Sequence, residues 1–299
     1  MTEECVTLRN RICTHCAPRP VSALALLQNN NVLSPLSTGM PFLDNCLKGG
    51  LRRGTISELV GAAGVGKTQF VLQLCVEAAK KGFGTVYIDT EKKLSLERLR
   101  EIATVRAGGG GFMYNNNEQH QQPLTDGSGG YKAPNQVLNN VTVHSPSSTK
   151  ELLSLIQSVE EEILLRNDEA VHSNQHTFPV HLLIIDSIAA PSRREFGSAG
   201  SSAMQRSALL MEIAAHLKKL ADQLQLYVIV VNQQVSSERA ALGNSWHHCL
   251  STRILMEQQQ QNNMRKATLV KSHVAGNVSM NYQITMQGLE EMEIQEMQQ

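Results

Sequence analysis

The 299-residue chain has no apolar run that approaches the roughly 18 residues of a membrane-spanning helix, so a helical span is excluded. It opens MTEECVTLRN, without the apolar stretch of a secretory leader. Neither charge sign is in excess, with 27 Lys+Arg against 27 Asp+Glu. No global positive field therefore draws in nucleic acid, and any such contact must come from local patches or from partners. The six cysteines (Cys5, Cys13, Cys16, Cys46, Cys75, Cys249) are scattered, which speaks against a disulfide-stapled secreted scaffold and leaves the expectation of a reducing compartment, cytosol or nucleus. Cys13 and Cys16 form a C-x-x-C, half of a zinc site. The only comparable cluster, His247, His248 and Cys249, lies more than 200 residues on, outside the usual ligand spacing, so a reduced pair is the reading.

What is present is enough apolar sequence, 41%, to bury a large core in one big domain or two small ones. Residues 1–38 contain Pro18, Pro20, the run Asn29 to Asn31 and Pro35, without a helical period, and read as a linker or extension. From Thr55 the segments TISELV, QFVLQLCVEAAKK, TVYIDT and SLERLREIA alternate strand and helix, the rhythm of a parallel sheet with helices on both faces. Residues 106–139 are rich in Gly, Asn and Gln and cannot offset the entropy of ordering, which predicts a disordered insertion. VTVH then precedes a helix expected over Thr149 to Arg166 and a polar loop through Pro179. HLLIIDS and LYVIVVN, on either side of an amphipathic helix from Met204 to Gln223, read as central buried strands. From Ser251, STRILMEQ, KATLVKS and MNYQITM predict an antiparallel meander closing the sheet through residue 290, with 291–299 as a tail.

Gly61-Ala62-Ala63-Gly64-Val65-Gly66-Lys67-Thr68 fits G-x-x-x-x-G-K-[ST], and it stands after a strand and opens a helix, as its mechanism requires. Glycines allow backbone N–H groups to wrap the phosphates of ATP at a helix N-terminus. Lys67 reaches the β- and γ-oxygens, and the Thr68 hydroxyl ligates Mg²⁺. Asp186 ends the apolar run Leu182 to Ile185, where a carboxylate at the edge of a buried strand can hold a magnesium water; a turn-capping Asp is the bland alternative. Glu91 follows TVYIDT at the same sheet edge and can orient or deprotonate the attacking water, with Asp89 competing for that role. Gln233, after Asn232, can sense the γ-phosphate through its amide, although a polar pair at a strand end is commonly a turn.

Taken together, Leu47-Lys-Gly-Gly-Leu-Arg-Arg-Gly54, the phosphate loop with Gln69, Tyr87-Ile-Asp-Thr-Glu91 followed by Glu97-Arg98-Leu99, Ile185-Asp-Ser187 and Val231-Asn-Gln233 resemble the RecA-type strand-exchange ATPases over about residues 37–290. The resemblance implies a RecA-like P-loop core at 39–290: a mostly parallel twisted sheet with helices on both faces and the antiparallel meander. Within that family, Ile188 to Phe196, Val159 to Ile163 and Ala241 to Trp246 resemble the eukaryotic recombinase paralogues of double-strand-break repair, most like the B-type, with the X-ray-cross-complementing type next. It further implies Glu91 as catalytic carboxylate with Lys67 and Gln233, Gln69 and Arg98 on the nucleotide, Mg²⁺ on Thr68 and Asp186, and a nuclear partner-dependent ATPase. Its partners would be other paralogues, the main recombinase, and single-stranded or branched DNA.

Departures from the family pattern shape the rest of the expectation. Residues 1–40 contain no Phe, and the family's small leading helical domain is not recognisable, which argues against filament assembly through a linker aromatic. Only twelve residues separate Gln233 from Trp246, where strand-exchange members hold a long DNA-binding loop, so base stacking on single strands is expected to be weak. Arg193, Arg194 and Arg206 flank the first loop as candidates for phosphate contact, with helix capping or surface charge as the alternative. Lys266 and Lys271 persist in the segment that caps the neighbouring subunit's nucleotide, but Ser272 to Gly276 lacks the family's Asp and Pro.

Overall fold

The structure, a computed structural model, describes residues 22, 24, 34–107, 134–172, 177–196, 203–236, 239–240, 243–259 and 264–292. Packing divides the chain into Met1–Ser34 and Pro35–Gln299, and every element named below belongs to the second unit. In chain order these are α1 (Pro41–Cys46), β1 (Thr55–Gly61), α2 (Lys67–Lys80), β2 (Gly84–Asp89), α3 (Leu96–Ala107), α4 (Pro134–Asn139), β3 (Val141–His144), α5 (Thr149–His172) and β4 (Val180–Asp186). They continue with α6 (Ala190–Phe196), α7 (Ala203–Gln223), β5 (Tyr227–Ser236), β6 (Arg239–Ala240), α8 (Gly243–Cys249), β7 (Thr252–Gln258), β8 (Arg265–Lys271), β9 (Val278–Thr285) and β10 (Gly288–Glu291).

The sheet runs β10-β9-β8-β7-β1-β5-β4-β2-β3, with β6 paired to β5 outside that path. Strands β7, β1, β5, β4, β2 and β3 are parallel, and β7 through β10 form the antiparallel meander. Parallel strands need crossovers, so their C-termini all leave the sheet at one edge. The register fixes which residues meet there: Gly61 lies opposite Gln233, Asp186 opposite Val231, and Asp89 opposite Asp186.

Alternation along the strands sorts the core into two layers. Leu182 and Ile184 of β4, with Tyr227, Ile229 and Val231 of β5, face α2, α3 and α4. Their neighbours Leu183, Ile185, Val228 and Val230 face α5, α7 and α8. On α5 the buried residues Leu152, Ile156, Val159 and Ile163 recur at helical spacing and form one apolar stripe. Each such side chain contributes about 1.5–3 kcal/mol on burial, so Ile156→Asp would break that layer. β1 carries one charged residue inward: Glu58, fully buried, accepts hydrogen bonds from Asn232 (2.8 Å), Trp246 (2.9 Å) and Arg253. The three donors satisfy a carboxylate that would otherwise be prohibitive there.

The structure shifts several expected boundaries. The folded unit begins before residue 39, because Leu36 is fully buried and exchanges two backbone bonds of 2.8 Å with Leu51. The segment 106–139 is not uniformly an insertion: Arg106 and Ala107 end α3, and 134–139 form α4 with Val137 fully buried. Arg106 is held by Glu77 at 2.7 Å, a contact between distant helices that local composition cannot register; residues 108–133 lie outside the described set. Helix α5 runs past Arg166 to His172, its polar end being ordinary helix-forming sequence on a solvated face. A fourth meander strand, β10, reaches Glu291, whose carboxylate accepts from the Phe42 N–H at 2.7 Å at the start of α1.

Candidate active site

The phosphate loop takes the shape its glycines permit. Gly66 stands at φ 106°, a left-handed position that caps α2 without any side chain, so the first-turn N–H groups of α2 have no side-chain cap. Gly61 is required by contact, since a Cβ there would stand 2.2 Å from the Met256 carbonyl of β7. From β9, the Tyr282 hydroxyl donates to the Val65 carbonyl at 2.7 Å and braces the loop from outside. Lys67 curls back over the loop and donates to the carbonyls of Gly61 (2.9 Å) and Ala62 (2.6 Å). Burial holds its ammonium below the usual lysine range, against the pull of Asp186 and Glu91.

Asp186, at the end of β4, lies against this loop. Its Oδ2 accepts from the Thr68 hydroxyl at 2.8 Å and from the Tyr87 hydroxyl at 2.9 Å. Burial raises the carboxyl's pKa, partly countered by those two bonds. Two hard oxygens from adjacent elements, with no cluster of three or more His, Cys, Asp or Glu among the described residues, suit Mg²⁺ completed by phosphate and water rather than an all-protein metal cage.

Asp89 and Glu91 differ in where their oxygens go. Asp89 is buried and accepts the backbone N–H groups of Glu91 (3.1 Å) and Leu94 (2.8 Å), so it shapes the loop after β2. Glu91 faces the cleft, where Oε1 accepts from Ser187 Oγ (2.9 Å) and Gln233 Nε2 (3.2 Å) and Oε2 pairs with Lys93. Burial pushes this carboxyl up, but the hydrogen bonds from Lys93 and Ser187 outweigh it and hold Glu91 below the usual carboxylate range. Thr90 ties the two strand ends together, donating to the Ser187 carbonyl at 2.7 Å and accepting from the Ser187 N–H at 3.0 Å.

One cleft of about 480 Å³ is lined by Ala63, Gly64, Gly66, Lys67, Thr68, Gln69, Asp89, Glu91, Lys93, Arg98, Asp186, Ser187, Val231, Gln233 and Ile284. Of the residues expected at the nucleotide from sequence, the structure brings Lys67, Thr68, Gln69, Glu91, Arg98, Asp186 and Gln233 together there. Arg98 is fixed by Gln69 at 2.7 Å, by the Met286 carbonyl at 3.2 Å and by the Thr285 carbonyl, spanning α2 and the β9–β10 turn. The three candidate DNA arginines separate. Arg193 lines a second pocket of about 280 Å³ with Glu91, Ala190 and Arg194. Arg194 donates to the carbonyls of Thr90 and Ser147, each at 3.1 Å. Arg206 lies in the first turn of α7. Lys271 is engaged by the His247 carbonyl at 2.6 Å, and Cys13 and Cys16 lie outside the described residues.

Sequence reading missed Tyr87, Ser187 and Lys93. Tyr87 shares a strand face with Asp89 two residues on, a signal that period-2 counting offers. Ser187 adjoins Asp186, and nothing in the sequence separates Lys93 from an ordinary surface lysine.

Residues 36–105 match the KaiC ATPase family, and residues 130–292 match the Rad51 family. The chain is similar to DNA repair protein RAD51 homolog 2 of Mus musculus, 31% identical over 92% of this chain and 81% of that protein. Its Homo sapiens counterpart is 29% identical over 92% of this chain and 74% of its own length. DNA repair protein RAD51 homolog 3 of Cricetulus griseus is 30% identical, covering 91% and 72%.

Proposed function

Because the chain belongs to the Rad51 family of RecA-type ATPases, we propose that it binds and slowly hydrolyses Mg-ATP as a recombinase paralogue in DNA double-strand-break repair. One observation carries this reading. Four segments distant in sequence meet at one strand edge, with Thr68 Oγ1 2.8 Å from Asp186 Oδ2 and Gln233 Nε2 3.2 Å from Glu91 Oε1.

The loop N–H groups wrap the phosphates, and Lys67 exchanges its carbonyl partners for phosphate oxygens. Thr68 and Asp186 supply the oxygens for Mg²⁺, which when bound neutralises charge on the β- and γ-phosphates. Glu91 orients the attacking water and takes its proton. Gln233 exchanges Glu91 for the γ-phosphate and passes its occupancy along β5 toward β6 and residues 237–242. Arg193 and Arg206 are the phosphate contacts offered to single-stranded or branched DNA. The protein acts in the nucleus with other paralogues to assist the main recombinase; the relatives' names, DNA repair proteins homologous to RAD51, support the repair setting.

The test is ATP affinity and turnover of the purified protein, alone and with single-stranded DNA, beside Lys67→Ala. Low turnover and binding that both vanish in Lys67→Ala are expected; undiminished ATP binding by the variant would refute the site. Strong DNA-stimulated turnover with filaments of the pure protein would instead identify a self-assembling recombinase. A scaffold that binds ATP to stabilise an interface, with negligible hydrolysis, is favoured by one feature: all three donors around Glu91 already occupy the oxygens that water needs.

A further inference from the structure

Lys93 is unlike the other cations of the cleft. Lys67 is buried and bound to its own loop, and Arg98 is fixed by Gln69 of α2 and by the Thr285 and Met286 carbonyls at the β9–β10 turn. Lys93 has a side chain 69% exposed, yet its ammonium lies in the cleft on Glu91, whose side chain is only 14% exposed. Its backbone is not free to wander: Asp89 holds the N–H groups of Glu91 and Leu94 on either side, and the turn passes through Lys92 at φ 56°. A four-carbon tether on a fixed base thus lets the ammonium move while the loop stays still. Among the described contacts the ion pair with Glu91 is the one that holds it, and the lysine end of that pair stands in solvent.

We propose that Lys93 is a cation with two seats in the nucleotide cleft: Glu91 Oε2, and the terminal phosphate of a bound nucleoside triphosphate. This rests on the ATP-site reading above. A γ-phosphate entering beside Lys67, Gln233 and Glu91 carries more negative charge than one carboxylate and offers several acceptor oxygens, so it outcompetes Glu91 for the ammonium. Transfer of Lys93 leaves Oε2 free to accept from water. The diphosphate does not reach that seat, so Lys93 stays on Glu91 and the carboxylate stays occupied. The same residue therefore discriminates triphosphate from diphosphate and releases the general base only when there is a terminal phosphate to attack. No covalent bond changes in this step; one ammonium exchanges one anion for another.

The test is equilibrium binding of ADP and of a non-hydrolysable ATP analogue, with Mg²⁺, to the full chain and to Lys93→Ala, Lys93→Arg, Glu91→Gln and the Lys93→Ala/Glu91→Gln pair. Lys93→Ala should weaken analogue binding about tenfold and leave ADP unchanged, the size of one charge-assisted hydrogen bond partly offset by the lost ion pair. Lys93→Arg should restore most of it. Glu91→Gln, by vacating the competing seat, should tighten analogue binding several-fold, and that gain should disappear in the double variant. Equal effects of Lys93→Ala on both nucleotides, or none, would leave Lys93 a surface ion pair and overturn the two-seat proposal alone. Absence of nucleotide binding by the unmodified chain would overturn the ATP-site reading with it.

Discussion

Two of the three carboxylates lining the cleft, Asp186 and Glu91, are held in opposite ways. Asp186 is buried and held by the hydroxyls of Thr68 and Tyr87, rooted in α2 and β2, with the Tyr87 ring itself fully buried. Glu91 is held by a serine, a glutamine and an exposed lysine. Thr68 and Tyr87 sit on packed elements, whereas Gln233 and Lys93 are the side chains that, on the proposals above, exchange Glu91 for phosphate. A metal ligand must keep one geometry through the cycle, and a group that activates water must become available at one point in it. On the proposed roles, Asp186 for the metal and Glu91 for water, the difference in partners matches the difference in duty.

The largest effect that would break the comparison is on Glu91 itself. Glu91→Gln should lower single-turnover hydrolysis by about 10²- to 10⁴-fold, the usual contribution of a positioned acid–base group, while retaining nucleotide binding. Rapid-quench measurement of phosphate release checks it; turnover within a few-fold of the unmodified protein would show that water is activated elsewhere and that the donors around Glu91 are merely structural. A smaller effect sharpens the other half. Tyr87→Phe removes only the hydroxyl that steadies Asp186 and should raise the Mg²⁺ concentration needed for nucleotide binding by about 10- to 100-fold, as loss of an outer hydrogen bond to a metal ligand does. Titration of Mg²⁺ against a fluorescent ATP analogue reads this directly. An unchanged midpoint would mean Thr68 alone fixes the carboxylate.

The same contrast separates what the sequence made legible from what it hid. The sequence pattern points to the phosphate loop and to Asp186 at the end of HLLIID, and the family resemblance points to Glu91 and Gln233; the fold brings these segments to one cleft. The mostly parallel sheet with helices on both faces is legible in the apolar runs; the strand order is not. Contacts between distant elements leave no local mark. Nothing near Glu58 in TISELV announces that Asn232, Trp246 and Arg253 will supply its donors, and Arg106 looked like the edge of an insertion because its partner Glu77 is on another helix. Nothing local separates Asp89 from Glu91, whereas in the fold the loop's N–H groups close on Asp89.

Arg194 gives the smallest predicted effect, and it tests whether the ring around Glu91 extends to α6. In sequence it is half of an Arg193-Arg194 pair beside a presumptive DNA loop, and either arginine serves equally well as a phosphate contact. In the fold its guanidinium bridges the carbonyls of Thr90 and Ser147, and Thr90 is the residue that precedes Glu91 and clasps Ser187. Removing it leaves Glu91 with all its side-chain donors but loosens the backbone that presents them. Arg194→Ala should therefore lower kcat about three- to tenfold with KM unchanged, at a stability cost of about 1 kcal/mol for the lost bonds. Affinity for single-stranded DNA should keep its salt dependence, whereas Arg193→Ala should reduce that slope by about one counterion. If instead Arg194→Ala flattens the slope and leaves kcat alone, the arginine serves DNA and the carbonyl bridge is incidental. In that case the movable half of the cleft ends at Ser187, and any signal from nucleotide to DNA must travel through Gln233 and β5.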